Sequence, residues 1–241
     1  MRFSRVIAFA LFSLATAALR AQTVPVEYAT FMSHGKAVSC AVYDAHDATA
    51  TMIFLRGASA SDLAFARTEA RFFAEHAFRV LLVDYLTVTP SLEPTPTNYR
   101  RWAQAVEDVV ADLRARPAAR ARKIALIGQG LGASVALLAG SRKLGVEAIA
   151  EWSGLLPNQF FSQVQNLPPL LILHGEQDRQ IPIVNARQLV RLCELKDFTC
   201  EAGMYPDEGH VFSTKATESA NQRVLTFFRT YLWSSLPTKA E

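Results

Sequence analysis

Cysteine is scarce in this sequence, with three residues, Cys40, Cys193 and Cys200, in a chain of 241. None sits in the close ligand pairs that zinc sites use, so no metal centre and no cofactor is expected. Long apolar runs are scarce as well. The longest spans residues 6–19, about 14 residues against the roughly 20 that cross a bilayer. It follows Arg2 and Arg5 and is trailed by small residues at Ala15, Ala17, Ala18 and Ala21. That layout reads as a cleaved secretory leader over 1–21, which implies a secreted or periplasmic protein with no stable membrane anchor. Excess charge is missing too. Arg2, Arg5 and Arg20 carry the whole formal +3, so the chain after residue 21 is neutral and no overall field steers it toward nucleic acid. Arg114, Arg116, Arg120 and Arg122 make a local cluster that a solvated helix end and turn account for.

What remains, residues 22–241, is half apolar and long enough for one substantial core. No repeat or linker-like tract divides it, so a single domain is expected. Short apolar runs alternate with longer amphipathic ones. Strands are expected near 37–43, 51–55, 79–83, 123–127, 148–151, 170–174 and 198–205. Helices are expected near 61–76, 98–116, 131–141, 184–195 and 218–233. The middle strands are continuously apolar, as in a mostly parallel sheet with helices on both faces. On the second helix Trp102, Val106, Val109, Val110 and Leu113 form one stripe at helical spacing. Cys193 ends a helix and Cys200 opens the next strand, a spacing that permits a disulfide in an oxidising compartment.

In open sheets of this kind function collects where the strands end. There the strand at 123–127 runs into Gly128-Gln129-Gly130-Leu131-Gly132 and then a helix of small residues. The spacing is that of the nucleophile elbow G-x-S-x-G, in which a strained turn lifts the central side chain above the sheet. Gly128 and Gly132 fit the flanks, but Gly130 stands in the centre and offers no attacking atom. Downstream, Asp178 follows one strand and His210 the last, in the chain order elbow, acid, histidine.

On the segments His174-Gly175 through Asp178 and Tyr205-Pro206 through Gly209-His210, the chain resembles the dienelactone hydrolase family from about residue 51 to 231. The resemblance implies an α/β-hydrolase fold, with Asp178 as acid, His210 as base and Gly130 at the emptied nucleophile position. Main-chain N–H groups of Leu131 and of Gly57 or Ala58 would form the oxyanion hole. The family usually carries His-Gly in that loop, whereas this chain has Arg56-Gly57. Arg56, Ser59 and Ser153 are candidates for contacting a small ester-, lactone- or acid-like ligand. Ser61 is expected to cap the following helix.

Three functions fit these residues. The first is a crippled hydrolase kept as a small-ligand binder. The second is an active hydrolase of carboxylic esters or lactones that uses a displaced serine or water with His210 and Asp178. The third treats Gly128-x-Gly130-x-x-Ala133 as a dinucleotide fingerprint, with Glu151 as the acid that binds the ribose.

Overall fold

The computed structural model describes residues 24–45, 48–116 and 123–233. The expected leader at 1–21 lies outside them, as do Arg120 and Arg122. Eight strands form one sheet: β1 Val26–Ser33, β2 Lys36–Asp44, β3 Ala50–Leu55, β4 Phe78–Val83, β5 Lys123–Gln129, β6 Ala148–Trp152, β7 Leu170–Gly175 and β8 Cys200–Tyr205. Their order is β1-β2-β4-β3-β5-β6-β7-β8. β1 with β2 and β2 with β4 run antiparallel, and every other pair is parallel. This is the α/β-hydrolase arrangement.

The helices are α1 Ala60–Glu75, α2 Pro96–Ala115, α3 Leu131–Gly140, α4 Asn158–Phe161, α5 Val184–Lys196 and α6 Thr214–Trp233. α2, α3 and α5 cover one face of the sheet, and α1 and α6 cover the other. All residues of β3, β6 and β7 are therefore buried. Residues 102, 106, 109, 110 and 113 of α2 are buried as one stripe, which removes roughly 10 kcal/mol worth of apolar surface from water. Trp102 satisfies its indole N–H by donating to Thr89 Oγ1 at 2.8 Å. No helix among the described residues is long and apolar enough to cross a membrane.

Several elements differ from the sequence reading. β1 was not expected. It is an edge strand whose Tyr28 and Met32 face solvent, so its apolar residues do not alternate cleanly with polar ones. α4 and a 3-10 turn at Tyr85–Val88 are too short to carry a periodic signal. α6 begins at Thr214 rather than 218, after Ser213, whose hydroxyl accepts from Ala216 N at 3.3 Å. Ser59, not Ser61, caps α1, accepting from Asp62 N while Asp62 accepts from Ser59 N. The acid at the third helical position decides the register, because the reciprocal pair satisfies two orphan donors.

Cys193 and Cys200 form a disulfide of 2.02 Å that ties the last turn of α5 to the start of β8. Asp197 makes the intervening turn at φ 55°. Cys40 is a buried free thiol, and burial pushes it up to about 12. A loop this short constrains the unfolded chain by about 2.5 kcal/mol. Replacing Cys193 and Cys200 by alanine together is expected to lower the urea-unfolding free energy by about that amount. An unchanged unfolding midpoint would show that the link constrains nothing.

Candidate active site

The parallel strands deliver their loops to one edge of the sheet, and steric limits then fix the loops against each other. The turn after β5 is the tightest of them. A Cβ on Gly128 would lie 2.4 Å from Gly132 O and 2.5 Å from Ala133 N. One on Gly132 would lie 2.0 Å from Leu55 O, in the strand that leads to the Arg56-Gly57 loop. Both flanks must be glycine for β5 to turn directly into α3. Between them Gly130 adopts φ 55° and ψ −118°, a region glycine enters freely and other residues enter under strain. Its N–H donates to Trp152 O at 2.9 Å, and its carbonyl accepts from Ala133 N and Ser134 N.

A second steric contact joins the acid and histidine loops. A Cβ on Gly175 would lie 2.3 Å from both Glu208 O and Gly209 O. That close approach lets Gln177 N donate to Glu208 O at 2.8 Å and Glu176 N to Tyr205 O at 2.9 Å. The two loops are thus laced together through their main chains. Asp178, whose side chain is fully buried, closes the arrangement. Its Oδ1 accepts from Gln180 N and Ile181 N, both at 2.8 Å, and its Oδ2 lies 2.8 Å from His210 Nδ1. An acid fixed in this way holds the imidazole in one orientation and, with a proton on Nδ1, leaves Nε2 as the base.

Nε2 of His210 faces the elbow. The Cβ direction of Gly130 ends 3.4 Å from Nε2 and 3.6 Å from Cε1. No hydroxyl or thiol among the described residues hydrogen-bonds that nitrogen. Ser134 is buried in α3 and points away, lying 3.4 Å from Gly130 O and 3.4 Å from Leu155 N. Ser59 is occupied as the α1 cap and meets Ser61 Oγ at 2.8 Å. The sheet edge therefore holds a base and an acid but no side-chain nucleophile touching the base.

The remaining candidates divide into donors and scaffold. The N–H of Leu131 opens α3 and has no acceptor within the helix. The loop at 57–58 lies beside it, since α3 packs against the main chain of residues 55–56. Both are suited to receive a carbonyl oxygen. Arg56 is tied into its own loop. Its guanidinium donates to Gly57 O at 2.9 Å and pairs with Asp84 Oδ1 at 3.3 Å, and its own carbonyl accepts from Tyr85 Oη at 2.8 Å. It holds the loop by its carbonyls where the family's histidine would stand. Ser153 does not take its expected ligand role. It is wholly buried at φ 52° and cannot line an open pocket.

Glu151 settles the dinucleotide reading, and against it. A ribose-binding acid must reach the ligand, but Glu151 is completely buried and its Oε2 accepts from Gly154 N at 2.8 Å. Burial raises its carboxyl to about 8, with the nearby Asp178 charge adding to the rise. Its buried position was missed in the sequence, although an acid within the apolar run Ala-Ile-Ala-Glu-Trp was a usable signal. Beyond it, Trp152 packs between Phe65 at 5.3 Å and Phe212 at 5.2 Å, which braces the histidine loop from the opposite face.

A methyl group at position 132 has no room, and the atom it meets is main chain, so Gly132→Ala is expected to cost about 3 kcal/mol or more in thermal or urea unfolding. A cost near that of an ordinary surface change would mean that the elbow is looser than described.

Three solved structures share the fold at low identity. A dienelactone hydrolase from Anabaena variabilis superposes with a TM-score of 0.74 at 18% identity, covering 87% of this chain and 99% of that one. An esterase from Pyrococcus furiosus gives 0.72 at 16%, with 87% and 92% covered. A serine hydrolase without lid from Xanthomonas campestris gives 0.69 at 18%, with 87% and 96% covered. No curated protein sequence matches the chain significantly. The sequence model of the dienelactone hydrolase family matches residues 93–232, more than half of the chain and including the elbow, Asp178 and His210, and the chain belongs to that family.

Proposed function

We propose that this chain is an exported member of its family that has lost serine-esterase chemistry and binds a small ester-, lactone- or acid-like molecule. One observation carries the reading: a Cβ added at Gly130 would end 3.4 Å from His210 Nε2, yet the glycine there supplies no attacking atom. A triad histidine accelerates acyl transfer by taking the proton of an attacking oxygen or sulfur. Without that atom the Asp178–His210 pair has no covalent step to drive. A carbonyl would be held by the N–H of Leu131 and that of Gly57 or Ala58 at its oxygen, with an imidazole to donate to or accept from a neighbouring polar atom. The Cys193–Cys200 disulfide supports export, because such links are rare in reducing compartments.

Restoring the missing atom tests the reading. Gly130→Ser puts a hydroxyl on the elbow opposite His210, at a cost in stability of roughly 1–3 kcal/mol for a side chain in that backbone region. Hydrolysis of an activated acetate ester is expected to rise by about 10²-fold or more over the wild type, and to fall back when His210→Ala is added. Robust wild-type turnover that disappears in His210→Ala would overturn the reading in favour of a water or displaced-serine hydrolase.

A further inference from the structure

A second concavity lies away from the acid and the histidine. It holds about 500 Å³ between the β1–β2 hairpin, the 3-10 turn and the first half of α2, and His34, Lys36, Arg100 and Arg101 line it. Its place follows from strand pairing. β2 runs antiparallel to β4 with Cys40 opposite Val83, so the hairpin tip reaches past the carboxyl end of β4, on the same edge of the sheet as the elbow. In the sheet order β1 and β5 are four strand spacings apart, which is ~19 Å at the usual inter-strand distance. No lining residue belongs to the elbow, the acid loop or the histidine loop, so this is a separate site.

Its walls are tied to one another by the protein's own contacts. Lys36 Nζ donates to Val88 O at 3.0 Å, which pins the hairpin to the 3-10 turn. Ser33 Oγ donates to Asp108 Oδ2 at 2.6 Å and Gln104 Nε2 donates to Asp108 Oδ1 at 3.0 Å, so the hairpin is pinned to α2 as well. Each oxygen of this acid is thereby taken by a neutral side chain. Arg100 lies over the Phe160 ring at 5.5 Å, a stacking that steadies the guanidinium and leaves its in-plane N–H donors for another partner. Among the described residues no carboxylate is within ion-pair reach of Lys36, Arg100 or Arg101. His34 and Gly35 make the hairpin turn at φ 46° and 77°, positions that asparagine and glycine fill most readily. The first of them holds an imidazole that lines the cavity instead.

Charge then selects the occupant. Like-signed groups around a concave, low-dielectric wall reinforce one another's potential, and an anion relieves it. Three permanent cations against the carboxylate of Asp108 leave a surplus of 3 − 1 = 2, which matches a doubly charged anion better than a singly charged one. Guanidinium forks and an ammonium are the donors that oxyanions accept from most strongly. We propose that this cavity binds a small oxyanion carrying two or more negative charges, a phosphoryl group or a polycarboxylate, held by Lys36, Arg100 and Arg101 with a ring N–H of His34 as a further donor. A small molecule fits better than a polymer or a lipid surface, because the cations line a recess in a chain that has no overall positive field.

The test titrates the whole folded protein with inorganic phosphate and, separately, with citrate, at an ionic strength held constant with sodium chloride, and follows ¹H–¹⁵N NMR. Amide resonances of residues 33–36 and 100–104 are expected to move along one saturating curve with at least one of the two anions, and the anion that saturates tells the phosphoryl source from the carboxylate source. The curve should be unchanged in His210→Ala, so the outcome does not depend on what the elbow binds or turns over. Replacing Arg100→Gln and Arg101→Gln together removes two exposed charges and should weaken binding by about tenfold or more, with resonances outside the cavity left in place. Lys215→Gln, an exposed cation on α6, should bind as the wild type does. Drift without a plateau for both anions, full affinity in the double variant, or shifts that centre on residues 130–132 and 208–210 and vanish in His210→Ala would overturn the proposal.

Discussion

The site depends on one contact, the approach of the loop at Gly175 to the carbonyls of Glu208 and Gly209. Everything chemical follows from it. A side chain at 175 would force the acid and histidine loops apart and break the 2.8 Å link between Asp178 and His210. That link is what makes the buried carboxylate tolerable. Asp178 gives up its hydration, and in return it accepts from two main-chain N–H groups and one imidazole. Hydrogen bonds to a charged acceptor are worth about 1.5–3 kcal/mol each, enough together to offset an effective desolvation cost of several kcal/mol. The pair is pre-organised whether or not a substrate is turned over.

On the proposed reading, the glycine at 130 trades activity for ease of folding. The elbow exists in hydrolases to thrust one side chain toward the histidine, and it holds that residue in a strained region of backbone space. Glycine enters the same region without the strain. The turn and its flanking glycines are present here, and at its centre stands a residue with no side chain. Strained catalytic geometry tends to be stabilised when the catalytic atom is given up. Arg56 follows the same logic, gripping the loop carbonyls and Asp84.

The central architecture was legible in the sequence because its signals are local. Continuous apolar runs mark buried parallel strands, the stripe from Trp102 to Leu113 marks a helix on the sheet, and the glycine spacing around 130 marks the turn. Asp178 and His210 were legible by chain order and neighbouring residues. β1 was not, because an edge strand with Tyr28 and Met32 in solvent lacks the alternation that names a strand. The surroundings of Arg56, Ser153 and Glu151 were not legible, for a shared reason. Each lies in a loop or at a strand end on the functional edge, and whether such a residue faces outward or inward depends on packing across neighbouring strands. Glu151 points under α3, Ser153 stands beside His174, and Arg56 folds back on its own loop, all of which are set by long-range contacts.

The central claim is that residue 130 is the point on this chain that faces the base, and that no hydroxyl among the described residues replaces it. Peptide mapping by mass spectrometry after exposure to a serine-reactive phosphonate measures this directly. The account predicts an adduct on the peptide containing position 130 in Gly130→Ser and no adduct anywhere in the wild-type protein. A His210-dependent adduct on Ser59, Ser61, Ser134 or Ser153 in the wild type would contradict it.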